Sequence, residues 1–140
     1  MNMQMVVFKL SNEEFAIEVS SIEAIIKLQA ITKVPHAPAH VVGVTNLRGN
    51  IVPVIDLKKR LNLPETVHNA DTRIIVAILQ DSKVGMVVDA VSQVIEIEES
   101  QIEPTPQITT SIDSAYIRGI VKVEKLLVIL LDLEKIFSED

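Results

Sequence analysis

The chain has 140 residues, 48% hydrophobic and only 3% aromatic, with a net charge of −6 and no cysteine. That length suits one compact domain or two closely packed lobes, and the acidic, aromatic-poor composition argues against nucleic-acid binding. The lack of cysteine excludes disulfides, thiolate catalysis and zinc–thiolate sites. Met1 to Met5 carries no basic n-region, and the longest strongly apolar run, Leu126–Leu131, is too short to span a bilayer. A soluble cytoplasmic protein without direct membrane insertion is the expectation.

In chain order, an alternating run from Met5 to Leu10, a turn at Ser11–Glu14 and the return Phe15–Val19 read as a β-hairpin. Serines ahead of apolar residues spaced three apart predict one or two helical turns over Ser20–Ile26. Pro35 and Pro38 bracket a connector, with a helical turn expected at Ala37–Val42. Gly43–Leu47 and Ile51–Leu57 then read as two strands about a polar turn at Arg48-Gly49-Asn50, and Asp56 is placed to cap a short helix through Lys58, Lys59 and Arg60. After the link Pro64–Asp71, Ile74–Leu79 and Val84–Val88 form a second hairpin about Asp81-Ser82-Lys83, and Asp89–Ile95 echoes Ser20–Ile26.

The echo continues. Gly119–Val123 and Leu126–Leu133 repeat Gly43–Leu57 without its Asn46-Leu47-Arg48-Gly49 turn. The offset is 69 residues for the first half of the unit and 76 for the second; the extra seven fit within the loop-like stretch Pro104–Ser111. The chain therefore carries an internal duplication. Two similar small β units would hide their strand edges best by closing as two barrels, with Leu126–Leu131 apolar on both faces and buried on both.

Few side chains suggest chemistry. His36 and His40 are four apart, but Pro38 lies between them and no HExxH glutamate is present, so no metal site is expected. Asp56 and Asp132 are related by the repeat, yet each precedes leucine at a helix start rather than lying in Asp-Thr/Ser-Gly, and capping explains them better. Glu96, Glu98, Glu99 and Glu103 read as a solvated face and helix start. With no phosphate loop and no nucleophile elbow, no catalytic residue and no cofactor is expected. Arg48 has two readings: a turn residue that solvates or pairs with a carboxylate, or an anchor that a rigid turn presents to a partner. Ile22, Ile25 and Val91 likewise fit either a core or a groove that accepts an amphipathic helix.

The ordered motif from Gly43 through Asn46-Leu47-Arg48-Gly49 to Asp56-Leu57, with Val84–Val91 and the strand pair Gly119–Phe137, closely resembles the CheW family of bacterial chemotaxis coupling proteins. The resemblance spans essentially the whole of residues 1–140, read as a single domain. It implies a mainly β fold of two interlocked, five-stranded SH3-like β-barrel lobes with short helices. It also implies a non-enzymatic adaptor that joins the histidine kinase CheA, through its regulatory domain, to the cytoplasmic tips of methyl-accepting chemoreceptors. By matched position the receptor side takes Val19, Ile22, Ile25, Asn46, Arg48 and Val91, and the kinase side Arg73, Ile74 and Ile75. Some members carry a glutamate where this chain has Ala24, which leaves open which carboxylate, Glu23 included, serves Arg48. The rival readings are a regulatory domain belonging to a longer kinase, and a small β-barrel hydrolase or ligand binder. The span from Met1 to just past Phe137 favours a stand-alone adaptor over the first, and the missing catalytic constellation disfavours the second.

Overall fold

A computed structural model describes residues 2–104 and 112–137. Ten strands run in chain order: β1 (Asn2–Leu10), β2 (Glu13–Glu18), β3 (Ile22–Lys27), β4 (Val41–Leu47), β5 (Asn50–Asp56), β6 (Arg73–Leu79), β7 (Ser82–Val88), β8 (Ala90–Glu98), β9 (Ile117–Val123) and β10 (Leu126–Leu131). Two short helices, α1 (Leu57–Arg60) and α2 (Leu133–Phe137), follow β5 and β10. The Asp56 side chain accepts the backbone N–H groups of Lys58 and Lys59, and Asp132 accepts that of Lys135, so both repeat-related aspartates cap helix starts. The loop-like stretch expected to absorb the extra seven residues falls mostly in residues 105–111, outside the described residues.

The strands form two five-stranded sheets, ordered β8-β1-β2-β10-β9 and β3-β6-β7-β5-β4. Each repeat lends its hairpin to the other: β1–β2 joins β8–β10, while β6–β7 joins β3–β5. The exchanged hairpins dock by parallel pairing at equivalent positions, Leu130 opposite Ala16 in one lobe and Val54 opposite Gly85 in the other. Closure into barrels is incomplete, because the two edge strands of each sheet share no ladder. A single bridge joins them instead. The chain leaving β3 pairs Thr32 with Val44, and the chain leaving β8 pairs Glu103 with Ile120. The repeat-related glycines make these crossings possible: a Cβ on Gly43 would lie 2.2 Å from the Thr32 carbonyl oxygen, and one on Gly119 would lie 2.7 Å from that of Glu103.

The helical turns expected over Ser20–Ile26 and its echo are strands. Only Val19–Ser21 forms a 3-10 turn, and β3 and β8 follow. A bulge between Ile22 and Ala24 explains the misleading spacing. It turns Ile22 toward the centre while Ala24 and Ile26 pack into one lobe, so an irregular strand mimics helical periodicity. Ser20 caps nothing; its hydroxyl reaches the Glu18 carboxylate. Within Ala37–Val42, where the sequence predicts a helical turn, a single hydrogen-bonded turn closed by the Val41 N–H on the Pro38 carbonyl at 2.9 Å leads directly into β4.

Apolar residues on both strand faces give three cores. Met5, Val7, Val128 and Leu130 fill one lobe, and Leu47, Val54, Ile74 and Val76 fill the other. The third lies between the lobes, with Phe8, Phe15, Ile75, Met86, Ile129 and Leu131. In β10 the two-sided burial holds for Val128–Leu131, whereas Leu126 and Leu127 at its start are exposed.

Candidate functional site

The β4–β5 turn consists of Arg48 and Gly49, since Leu47 already pairs with Asn50. Both turn residues have positive φ, 52° and 85°, as a two-residue hairpin turn requires, and glycine supplies the second without strain. The exposed Asn46 side chain accepts the Gly49 N–H at 3.0 Å, which stiffens the tip. Gln29 donates to Thr45 Oγ1 and to the Asn46 carbonyl, tying the chain beyond β3 to the base of this turn. Arg48 is exposed, and among the described residues its guanidinium has neither hydrogen-bond nor ion-pair partner. Glu23 is already committed to Lys83 at 3.0 Å. Arg48 is therefore a free cation on a rigid turn.

Ile22 on β3 and Val91 on β8 are half-buried, and both pack against the core between the lobes. Ile25, on the outer face of β3, is exposed. Val19 lies in the 3-10 turn beside the start of β1, bordering a shallow depression with Met3 and Gln4. The expected receptor residues thus comprise the central pair Ile22 and Val91, Ile25 on the same face of β3 as Ile22, Val19 in the adjoining turn, and the Asn46–Arg48 tip. The expected kinase residues need correction. Ile74 and Ile75 are completely buried, in a lobe core and in the central core respectively. Arg73 is half-buried, and its Nη1 donates to the carbonyl oxygens of Ala70 and Thr72. Every residue from Arg73 to Leu79 except Arg73 itself is apolar, so alternation could not reveal the outward-facing side chains.

Two polar networks cross between elements. Lys58 of α1, only 1% exposed, donates to Asp89 and to Thr66 Oγ1. Asp89 also accepts from the Thr66 hydroxyl at 2.7 Å and the Ser11 N–H at 2.7 Å. Burial pushes the Asp89 carboxyl up, but the hydrogen bonds from Lys58, Thr66 and Ser11 outweigh it and hold the group below its ordinary value. On the opposite side Arg118 pairs with Glu18 at 2.6 Å, and that hydrogen bond lowers the Glu18 carboxyl against the effect of burial. Among the described residues no group of three or more His, Asp or Glu could hold a metal ion. His36 lies in a positive-φ turn, and the His40 carbonyl accepts the Asp56 N–H. No helix of the described chain is long and apolar enough to cross a membrane.

Comparison with known proteins places this geometry. The family profile described as the CheW-like domain matches residues 4–140. Chemotaxis protein CheW of Bacillus subtilis is 39% identical over 98% of this chain and 88% of its own length. The probable chemotaxis protein CheW of Rhizobium etli is 36% identical over 97% and 88%. The crystal structure of the scaffolding protein TtCheW from Thermoanaerobacter tengcongensis superposes with a TM-score of 0.92 at 38% identity, covering 100% of this chain and 90% of that one. The chain belongs to the CheW-like domain family.

Within this CheW-like fold, sequence reasoning missed the Lys58–Asp89 network. Lys58 reads as an ordinary solvated helix residue, and only the packing of the chain beyond α1 buries it. The exposed apolar residues Ile51, Ile78, Val94 and Leu127 were missed as well. Ile51 and Leu127 occupy equivalent places after the two β-hairpin tips, a correspondence already present in the 76-residue repeat.

Proposed function

We propose that this chain acts, as one CheW-like domain, as a non-catalytic cytoplasmic adaptor in bacterial chemotaxis signalling. It joins the cytoplasmic tips of methyl-accepting chemoreceptors to the regulatory domain of the histidine kinase CheA, at the inner face of the membrane. Support comes from near-full-length kinship with proteins named for chemotaxis and with a scaffolding protein. The observation that carries the receptor side is Arg48, an unpartnered cation fixed on a two-residue turn. An exposed cation without a partner among the described residues is available to a partner protein's carboxylate or carbonyl. Val19, Ile22, Ile25, Asn46 and Val91 complete that side. The kinase side is assigned to β6 around Arg73, with Ile74 and Ile75 supporting the strand from within. The exchange of hairpins puts β6 in the same lobe as Arg48 and not in a second lobe, so Arg48 and Arg73 mark separate patches of one lobe.

Calorimetric titration against a receptor-tip fragment and the CheA regulatory domain tests the assignment. Arg48→Glu should keep its melting temperature and its kinase affinity while losing receptor affinity, because the reversed charge meets a group chosen to suit arginine. Ile22→Asp should weaken receptor binding by about 1.5–3 kcal/mol through lost apolar contact. Equal loss of both partners in Arg48→Glu, or a wild-type chain that binds neither, would refute the reading.

A further inference from the structure

The chain passes from one sheet to the other twice, between β2 and β3 and between β7 and β8. The two crossings are equivalent in the repeat and differently held. The first is the 3-10 turn Val19–Ser21, whose one side-chain hydrogen bond among the described residues runs from the Ser20 hydroxyl back to Glu18. The second is a single residue, Asp89, since β7 ends at Val88 and β8 begins at Ala90. Both lobes grip it. From the β1–β2 hairpin, the Lys9 carbonyl accepts the Asp89 N–H at 3.0 Å and the Ser11 N–H donates to its carboxylate at 2.7 Å. From the lobe of β3–β7, buried Lys58 and the Thr66 hydroxyl donate to the same carboxylate.

The residues of the receptor side flank these two crossings. Val19 lies in the first, Ile22 directly follows it, and Val91 stands two positions beyond Asp89. Ile22 and Val91 belong to strands of different lobes, so the distance between them depends on the angle at which the lobes meet. The apolar core between the lobes holds them together without directional preference. A buried, hydrogen-bonded charge cluster is a weak source of stability but a directional one. We propose that Asp89 is a positioning residue: clamped by Lys58, Thr66 and Ser11, it fixes the angle between the lobes and so holds Val91 and Ile22 at the spacing that a receptor tip engages. This role rests on the receptor side assigned above.

The test uses the full chain, isotope-labelled. In Lys58→Met/Asp89→Asn both charges leave together while the side-chain shapes remain, so no ion is stranded and the fold is kept. Residual dipolar couplings should still fit each lobe separately but no longer fit both with one alignment. Calorimetry well below the melting temperature should show receptor-tip affinity falling about three- to tenfold, the range over which residues outside a site alter coupling. Affinity for the CheA regulatory domain should stay at the wild-type value. Thr66→Val, on the exposed chain beyond α1, keeps the ion pair and should move both readouts the same way by less, and Thr66→Ser should restore them. A single shared alignment in the double variant would overturn the proposal, because the clamp would not set the angle. An altered alignment with wild-type receptor affinity would overturn it as well, and equal loss of both partners would make Asp89 merely structural. A wild-type chain that binds no receptor tip would instead overturn the receptor assignment, and with it this role for Asp89.

Discussion

In an Asp89→Ala variant the Lys58 ammonium, 1% exposed, keeps only the Thr66 hydroxyl of its two side-chain partners. Breaking one side of a buried ion pair costs about 3–5 kcal/mol. Asp89 is itself 21% exposed, so some water reaches the site and the lower end, about 3 kcal/mol, applies. Against a total stability of about 5–15 kcal/mol that is a large fraction. For a chain of this size it corresponds to a fall of about 10 °C in melting temperature. Lys58→Met keeps the buried stem but leaves the Asp89 carboxylate with the Ser11 N–H, the Thr66 hydroxyl and the water that its 21% exposure admits, so it should cost less than Asp89→Ala, about 1–2 kcal/mol. Adding Lys58→Met to Asp89→Ala should restore most of the loss. The sign with pH follows from the depressed Asp89 carboxyl. Its stabilisation is complete above the unfolded value of about 3.9 and is lost as pH falls through the lower folded value. Acid unfolding of Lys58→Met should therefore be shallower in that window. Thermal unfolding at pH 7 and urea unfolding on a descending pH series would measure both effects. An Asp89→Ala protein melting within about 2 °C of wild type at pH 7 would refute the reasoning.

Leu130→Asp should unfold the chain or cost several kcal/mol, since it places a carboxylate in a lobe core; Leu127→Asp, three residues earlier on an exposed surface, should change stability by no more than about 0.5 kcal/mol. Urea titration of the two variants would separate them, and equal effects would mean that β10 is wrongly oriented. Gly43→Ala should destabilise by more than Gly49→Ala, because its new Cβ meets the Thr32 carbonyl oxygen at 2.2 Å whereas no atom lies within 4 Å at Gly49. The cost at Gly49 is the backbone term alone, about 1–2 kcal/mol for a left-handed residue. Matched melting curves for the two alanine variants would show that the Thr32–Val44 crossing yields freely.

The architecture was legible wherever a local rule operated. Both exchanged hairpins, the two aspartate caps and the duplication itself follow from alternation, turn residues and a fixed offset. The helical expectation for Ser20–Ile26 failed because a β-bulge between Ile22 and Ala24 shifts one side chain out of phase, which a sequence window reads as a longer period. Incomplete barrel closure was not legible either, since it depends on where the chain beyond each edge strand crosses back. At the candidate site the Arg48 turn could be read directly, because positive φ demands its glycine and the repeat lacks its arginine. Ile74 and Ile75 were assigned to a surface by family position, and burial on both faces of a central strand defeats that assignment. Lys58 was invisible for the converse reason: nothing local marks a lysine whose partner lies 31 residues away.

The exchange of hairpins gives the two lobes different histories as the chain emerges. The sheet of β3–β7 draws on consecutive residues, Ile22 to Val88, so all its ladders are available once that stretch is made. The other sheet must hold Asn2–Glu18 until strands beyond residue 90 exist, and its parallel seam joins Glu14 to Val128 across most of the chain. Pairing over such a separation is slow because the chain must close a long loop before any contact rewards it. Until then the first hairpin carries Met5, Val6, Val7 and Phe8 without their cover and with both sheet edges open. A chain halted before β8–β10 would keep that hairpin exposed, so truncating or destabilising those strands should increase aggregation.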